Sequence, residues 1–542
     1  MADRRMTFGA AAREKVLQGA TQLADAVRIT LGPRSKSVLI QRAWGVPLVC
    51  NDGVTIAKEL RLADPEENLG VQMLRQAAQA TGEAVGDGTS TATILAHAMF
   101  ADGVRNVTAG ASAIEIKRGL DRALAVAVKE LLAVSRPVST RRERAQVASI
   151  SAHDDRSIGE LVAEATEKVG GDGVIAVEES RTTETTLEVV EGLQFDRGYI
   201  SPYFVTDPEH LEAVHENPLV LLTDRRLAAV GELLPLLEQL AKGGAPLLVV
   251  AEDVEGEALA TLVVNHARGV LKCVAVKAPG YGDSRKVLLA DLAAVTGGEL
   301  VSAELGRRLE DTQRGQLGRA RRVVVDREHT TIIGGGGNRA AIEQRVAQIR
   351  LERDRATSDY ERGQFERRIA RLAGGVAVIR VGAPSEAETK ARKDALDDAI
   401  SATRAAVAEG IVPGGGLALL RLVPAVQAEE GRCEGDQRTG VQILRRALEA
   451  PTRQIAANSA VDSGVVVARL MAGDGDVGYD AAQGQYVDLY AAGIVDPTKV
   501  LRVALENAVS VASTLLLTEA TLVDVPEPAE RSARSPAATR EP

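Results

Sequence analysis

Between residues 13 and 28 the apolar side chains Val16, Ala20, Leu23 and Val27 recur in steps of three and four, which puts them on one face of a helix. Leu31-Gly32-Pro33 stops it. The same spacing predicts helices at about 69–79, 92–104 and 113–134, and a helical pattern resumes beyond Gly440. Two helical regions at opposite ends of the chain can form one domain, with everything between them inserted. The middle has a different pattern. Short, continuously apolar strands at 219–222, 247–250 and 270–276 alternate with helical stretches at 233–242 and 257–268, which predicts β-α-β units in a sheet covered on both faces. Residues 338–371 form a charged helical pair broken near 356–359, followed by a strand at 376–381 and a helix at 385–409 that ends at Gly410 and Gly414-Gly415-Gly416. The closing 525–542, rich in Pro, Ala, Ser and charge, is predicted to be disordered.

A chain of 542 residues exceeds one hydrophobic core, so two to four domains are expected. Aromatic residues are only 2% and the formal net charge is −10, which opposes both stacking platforms for nucleic acid and nonspecific attraction to it. Residues 1–9 carry Arg4 and Arg5 without a following apolar core, and apolar runs are interrupted by charge, as Glu238 interrupts 233–240. A cytoplasmic location without nucleic-acid or membrane partners is the expectation. Cys50, Cys273 and Cys433 are far apart and outside any metal-ligand spacing, which fits buried thiols in a reducing compartment. His97, on a mostly apolar helix, reads as a core-edge residue rather than a ligand.

The densest chemistry is Gly86-Asp87-Gly88-Thr89-Ser90-Thr91, directly before a helical run. Glycines permit close backbone approach, and a helix start offers unpaired N–H groups, a combination that suits phosphate. A carboxylate there makes sense if Asp87 holds a Mg²⁺ that bridges to phosphate; a Gly-Asp-Gly turn before a capped helix explains the same residues equally well. No G-x-x-x-x-G-K-[ST] loop occurs, so a nucleotide site would be of another kind. Asp397 and Asp398 are adjacent on a helix, and only one of them can face a ligand; alone, they read as a solvated acidic pair. Asn51-Asp52-Gly53 and Gly473-Asp474-Gly475 are each explained as turns. Residues 258–264 are apolar around the whole helix, and 233–240 carry a broad leucine stripe. Leu234, Leu237, Leu259 and Val263 could line a groove for apolar segments, whereas burial within the α/β domain is the simpler reading.

Taken together, Thr30-Leu31-Gly32-Pro33, Asp52-Gly53, residues 86–91, Asp398, residues 414–416 and Asp496-Pro497-Thr498-Lys499-Val500 make the chain resemble the group I chaperonins, the GroEL family, over nearly its whole length. Residues 194–199, 251–265 and 372–376 support the match. The resemblance implies a multidomain α+β subunit: a mainly helical equatorial domain (1–133 and 409–524), an intermediate domain (134–190 and 377–408) and an α/β apical domain (191–376). It implies homo-oligomeric rings, usually of seven, single or stacked, around a cavity capped by a GroES-type cochaperonin, and ATP-driven folding of nonnative polypeptides. The ATP site would comprise Thr30, Leu31, Gly32, Pro33, Asn51, Asp87, Gly88, Thr89, Ser90, Thr91, Gly415, Asp480, Ala481, Ala482 and Asp496. Asp87 would hold Mg²⁺, Ser90 would lie near K⁺, and Asp52 with Asp398 would position or activate water. Polypeptide and cochaperonin would meet Tyr199, Ser201, Tyr203, Phe204, Leu234, Leu237, Leu259, Val263, Val264 and Asn265. Arg197 and Glu386 resemble a salt-bridging pair between subunits.

Three positions depart from the family pattern. Asn51 replaces a usual lysine, Asp480 replaces a common asparagine, and the tail lacks Gly-Gly-Met repeats. A divergent duplicate acting mainly as a polypeptide-binding scaffold with weak ATPase is the alternative these changes leave open. A group II chaperonin with a built-in lid is disfavoured by the apical match.

Overall fold

The computed structural model describes residues 4–524 except 42–46, 153, 171–172, 181, 209, 303, 305 and 357. The predicted tail, 525–542, lies outside the described residues. Two compact units divide the chain. One is built from the residues up to Val162 and those from Asp394 onward, the other from Ala163–Lys393. The helices near both ends of the described residues therefore fall in one unit, with the other inserted between them.

In the first unit the helix Gly9–Arg28 buries Ala12, Val16, Ala20, Leu23, Ala24 and Val27, the stripe read from sequence extended by one turn. It lies against Pro65–Val85 with almost no side-chain layer between. A Cβ at Gly19 would strike the Glu67 backbone, and one at Gly70 would strike that of Val16. Asp64 caps the second helix by accepting from Glu66 N and Glu67 N, with Pro65 at its first position. Thr89–Thr108, Ala113–Ala133, Gly435–Ala447 and Thr498–Leu517 complete the helical core around Leu74, Met99, Phe100, Leu120, Leu444 and Leu505. Against the expectation that charge interrupts every apolar run, Thr498–Leu517 is long and apolar enough by composition to cross a membrane. Its apolar residues, among them Leu501, Ala504, Leu505, Ala508 and Leu515, are instead buried in this core. A strand that the periodicity did not announce, Arg4–Phe8, pairs antiparallel with Ala520–Asp524.

In the second unit the three predicted strands appear as Leu219–Thr223, Leu247–Ala251 and Cys273–Lys277, parallel neighbours whose residues are buried apart from Lys277. Helices Leu234–Gly243 and Gly256–Ala267 connect them. The sheet is mixed rather than purely parallel. Gly318–Val325, Thr330–Gly335 and Gly192–Phe195 extend it with antiparallel pairing. The charged helical pair is Arg339–Arg355 and Asp359–Gly374, broken where expected, and the strand Val376–Val381 matches its predicted bounds. Asp291 fastens both helices to Asp283–Thr296. Its buried carboxylate accepts from Arg345 Nε at 2.7 Å and from Arg368 Nε and Nη2 at 2.8 and 3.0 Å.

Candidate functional site

Gly86 ends the helix Pro65–Val85 in a left-handed conformation (φ 73°), its N–H donating to Gly82 O at 2.8 Å. Gly88 (φ 79°) turns the chain again into the helix Thr89–Thr108. Side chains at either glycine would overlap Ser401 or Val500, so both the backbone conformation and the space demand glycine. No side chain caps the new helix, which leaves its first N–H groups open to an anion. Between the two glycines, Asp87 accepts from the Ser151 hydroxyl at 3.0 Å and from its neighbour Gly88 N.

A second helix start faces the first. Asp52 caps Gly53–Glu59 by accepting from Val54 N at 3.1 Å and Thr55 N at 2.8 Å. A Cβ at Gly53 would come within 2.5 Å of Ser90 Oγ, so glycine is what leaves room for that hydroxyl. Ser90 Oγ lies 3.1 Å from Thr30 Oγ1, and the Thr30 hydroxyl donates to Val27 O at 2.8 Å. Asp398 is half-buried on the helix Glu386–Glu409, whereas Asp397 is exposed, so the adjacent pair divides as the helical geometry required. Burial, and then the charges of Asp87 and Asp52, push the Asp398 carboxyl up to about 9. Asp496, beside the Gly414 backbone, is pushed up to about 7 by burial and by Asp87. Asp52, Asp87, Asp398 and Asp496, spread over 445 positions of sequence (52 to 496), thus act on one small volume.

Converging carboxylates with open helix N–H groups suit a hard divalent cation that arrives with phosphate oxygens. Among the described residues no group of three or more His, Cys, Asp or Glu could hold a metal by itself. Mg²⁺ does not require such a group, because it keeps waters and takes only one or two carboxylates beside phosphate.

Beyond this charged end lies a loop-lined rim. Asn458 Nδ2 donates to Arg28 O at 2.9 Å and Leu31 O at 2.8 Å, holding Thr30–Pro33 in place. Arg34 Nη2 reaches Ala482 O at 2.9 Å and ties this loop to Asp480–Ala482. Gly415 (φ 62°) approaches Tyr479 O. The buried Asp480 carboxylate accepts from Ala482 N at 2.9 Å and Gln483 N at 3.1 Å. An asparagine oxygen would make the same turn, so the departure at this position leaves the local geometry unchanged. Asn51 is exposed. Ser151, Arg34 and Asn458 are the residues that sequence reasoning missed; only Arg34, next to a recognised motif, carried any signal. Gly473-Asp474-Gly475 stands apart as a plain turn, with Arg421 Nη1 donating to Gly473 O at 2.7 Å. His97 contacts Thr21 Oγ1 at 3.0 Å and is pushed down to about 4 by burial, in keeping with a core-edge position. All three cysteines are free and buried.

In the second unit, Tyr203 (74% exposed), Leu234 (45%) and Val264 (43%) present apolar surface, with Tyr199, Leu259 and Val263 half-buried beside them. Phe204, Leu237 and Ser201 are buried, so they support this face from beneath rather than belonging to it. Asn265 Nδ2 donates to Thr261 O within its own helix. The Arg197 guanidinium sits 5.2 Å from the centre of the Tyr281 ring; the Glu386 side chain lies outside the described residues.

A model of the TCP-1/cpn60 chaperonin family matches residues 23–526. The chain is 66% identical over 528 residues to the protein named Chaperonin GroEL 5 of Bradyrhizobium diazoefficiens, an alignment that covers 97% of this chain and 98% of the relative.

Proposed function

This chain belongs to the TCP-1/cpn60 chaperonin family, and we infer that it is an ATP-hydrolysing molecular chaperone that binds nonnative polypeptides and promotes their folding inside a ring. The observation that carries the inference is the meeting of Asp52, Asp87 and Asp398 beside an uncapped helix start. We propose that the nucleotide's phosphates lie against residues 87–91 and its base end against Thr30–Pro33, Gly415 and Asp480–Ala482, with Asp496 at the edge. Asp87 holds Mg²⁺, which when bound supplies charge neutralisation at the phosphates, and Ser90 lies near K⁺.

Asp52, fixed by two backbone N–H groups, and Asp398 orient a water for attack on the terminal phosphorus. Asp398 takes the proton as the new P–O bond forms, and the bond to the bridging oxygen breaks. Its elevated proton affinity suits a base once positive charge at the site lets it ionise. The scaffold alternative is not favoured, given 66% identity over nearly the whole chain to a protein named as a chaperonin. Residues 134–190 and 377–408 are proposed as the hinge domain between equatorial and apical parts. Seven-membered rings, a GroES-type cap and a cytoplasmic location complete the reading. Steady-state ATP hydrolysis tests it: Asp398→Ala is expected to lower kcat by roughly 10²-fold or more while nucleotide still binds. Equal rates would remove Asp398 from the chemistry.

A further inference from the structure

Three rings stand edge to face beneath the exposed apolar surface of the second unit. The buried Phe204 ring meets His266 with centroids 5.7 Å apart at 79°, and His266 meets His215 at 6.2 Å and 80°. They join three elements: the turn Pro202–Phe204 that carries Tyr203, the helix Gly256–Ala267 that carries Leu259, Val263 and Val264, and the strand Ala213–Glu216. The stack also closes an edge of the sheet. Cys273 opens the strand Cys273–Lys277, and its backbone N–H donates to His266 Nδ1 at 3.3 Å. An imidazole can accept that bond only while Nδ1 carries no proton. His215 is 4% exposed, and no hydrogen-bond partner reaches its buried Nε2.

We propose that the Phe204–His266–His215 stack is an acid-sensitive support for the apolar face: protonating either imidazole frees the turn Pro202–Phe204 and the helix Gly256–Ala267 from the sheet edge and exposes Phe204. A proton on His266 Nδ1 strands the Cys273 N–H, and a proton on His215 creates a buried cation without a counter-ion. Among the groups facing the rings only the Cys273 backbone favours a proton, through a hydrogen bond that raises both imidazoles but is outweighed by burial. The turn contributes no charge, the strand Cys273–Lys277 brings the buried Cys273 thiol with Lys272 before it, and Lys272 repels a charged His215. From the strand Ala213–Glu216 comes His215 itself, while Glu216 is engaged by Arg322 at 3.4 Å. The neighbouring strand Gly318–Val325 sets Val323 opposite His215. Burial accordingly pushes His215 down to about 4 and His266 downward as well.

The sign follows. The opened state binds more protons than the closed one, so closure is fully favoured above about pH 6.5, the ordinary value of histidine, and weakens as pH falls toward 4. That this loosening serves polypeptide capture rests on the face proposed above. Hydrogen–deuterium exchange of the intact protein, corrected for intrinsic rates, tests the support itself. Opening of peptides spanning 199–204 and 256–276 is expected to rise by at least about tenfold from pH 7.5 to 5.5, about tenfold from the proton affinity of His215 and the remainder from His266. His215→Leu is expected to abolish most of that rise, and His266→Gln, which keeps an acceptor but cannot titrate, to reduce it. A rise of the same size in both variants, or none in the wild type, overturns the proposal. Polypeptide retention at pH 7.5 with and without nucleotide tests the face separately, so the two readings fail by different measurements.

Discussion

Asp398 is placed where burial and two neighbouring carboxylates all disfavour its charge. Without a cation, this has a thermodynamic consequence of fixed sign. The folded state holds a proton on Asp398 that the unfolded chain releases near pH 4, so this residue makes ligand-free protein progressively less stable as pH rises from about 4 toward 9. Asp398→Asn removes the cost. Thermal unfolding of ligand-free wild type and variant is expected to show midpoints that nearly coincide at pH 4.5 and separate at pH 8, with the asparagine form higher. A gap independent of pH would mean that Asp398 titrates normally. At this scale the sequence was informative about identities and silent about geometry. Two glycines around an aspartate announce a turn and a helix start, yet Ser151, 64 positions away, is what fixes one oxygen of Asp87. Nothing local could show that.

Single elements were legible where their burial is uniform. Val376–Val381 is apolar and buried except at Arg380 and follows Gly375, and it came out with its predicted ends because a strand buried on both faces leaves no other period to read. Gly318–Val325 was missed because Arg319, Arg321 and Arg322 break its apolar run. The charges of Arg321 and Arg322 are met by Glu178, Glu188 and Glu216, all distant in sequence. The Asp291 clamp belongs to the same class of long-range arrangement, and it has a measurable weight. With Asp291, Arg345 and Arg368 side chains only 5%, 18% and 12% exposed, Asp291→Ala leaves two mostly buried guanidiniums without their anion. A loss of about 3–5 kcal/mol is expected in denaturant unfolding followed at residues 283–296 and 339–374. Replacing all three with leucine or methionine is expected to recover most of it, since an apolar trio needs no counter-charge. If the single substitution proves neutral, the clamp is not what holds the two helices.

For the whole molecule, the proposed cycle requires that a nucleotide near the two chain ends change how the face around Tyr203, Leu234 and Val264 meets unfolded polypeptide. A ligand shifts a conformational equilibrium only by its differential affinity for the two states, however tightly it binds. The coupling is therefore reciprocal: if ATP weakens polypeptide binding by some factor, polypeptide must weaken ATP binding by the same factor. Turnover hides this equality in the wild type, because hydrolysis keeps the system away from equilibrium. Asp398→Ala, slow in hydrolysis but retaining the residues proposed to bind nucleotide, allows both affinities to be measured at equilibrium. The two factors are expected to agree and to exceed fivefold, the lower end of ordinary allosteric coupling energies. Leu234→Glu with Val264→Glu is expected to weaken polypeptide binding while leaving ATP affinity without polypeptide unchanged. Agreement of the two factors near unity would leave an intact nucleotide site and an intact apolar face with no coupling between them, and the folding cycle would have to be driven some other way.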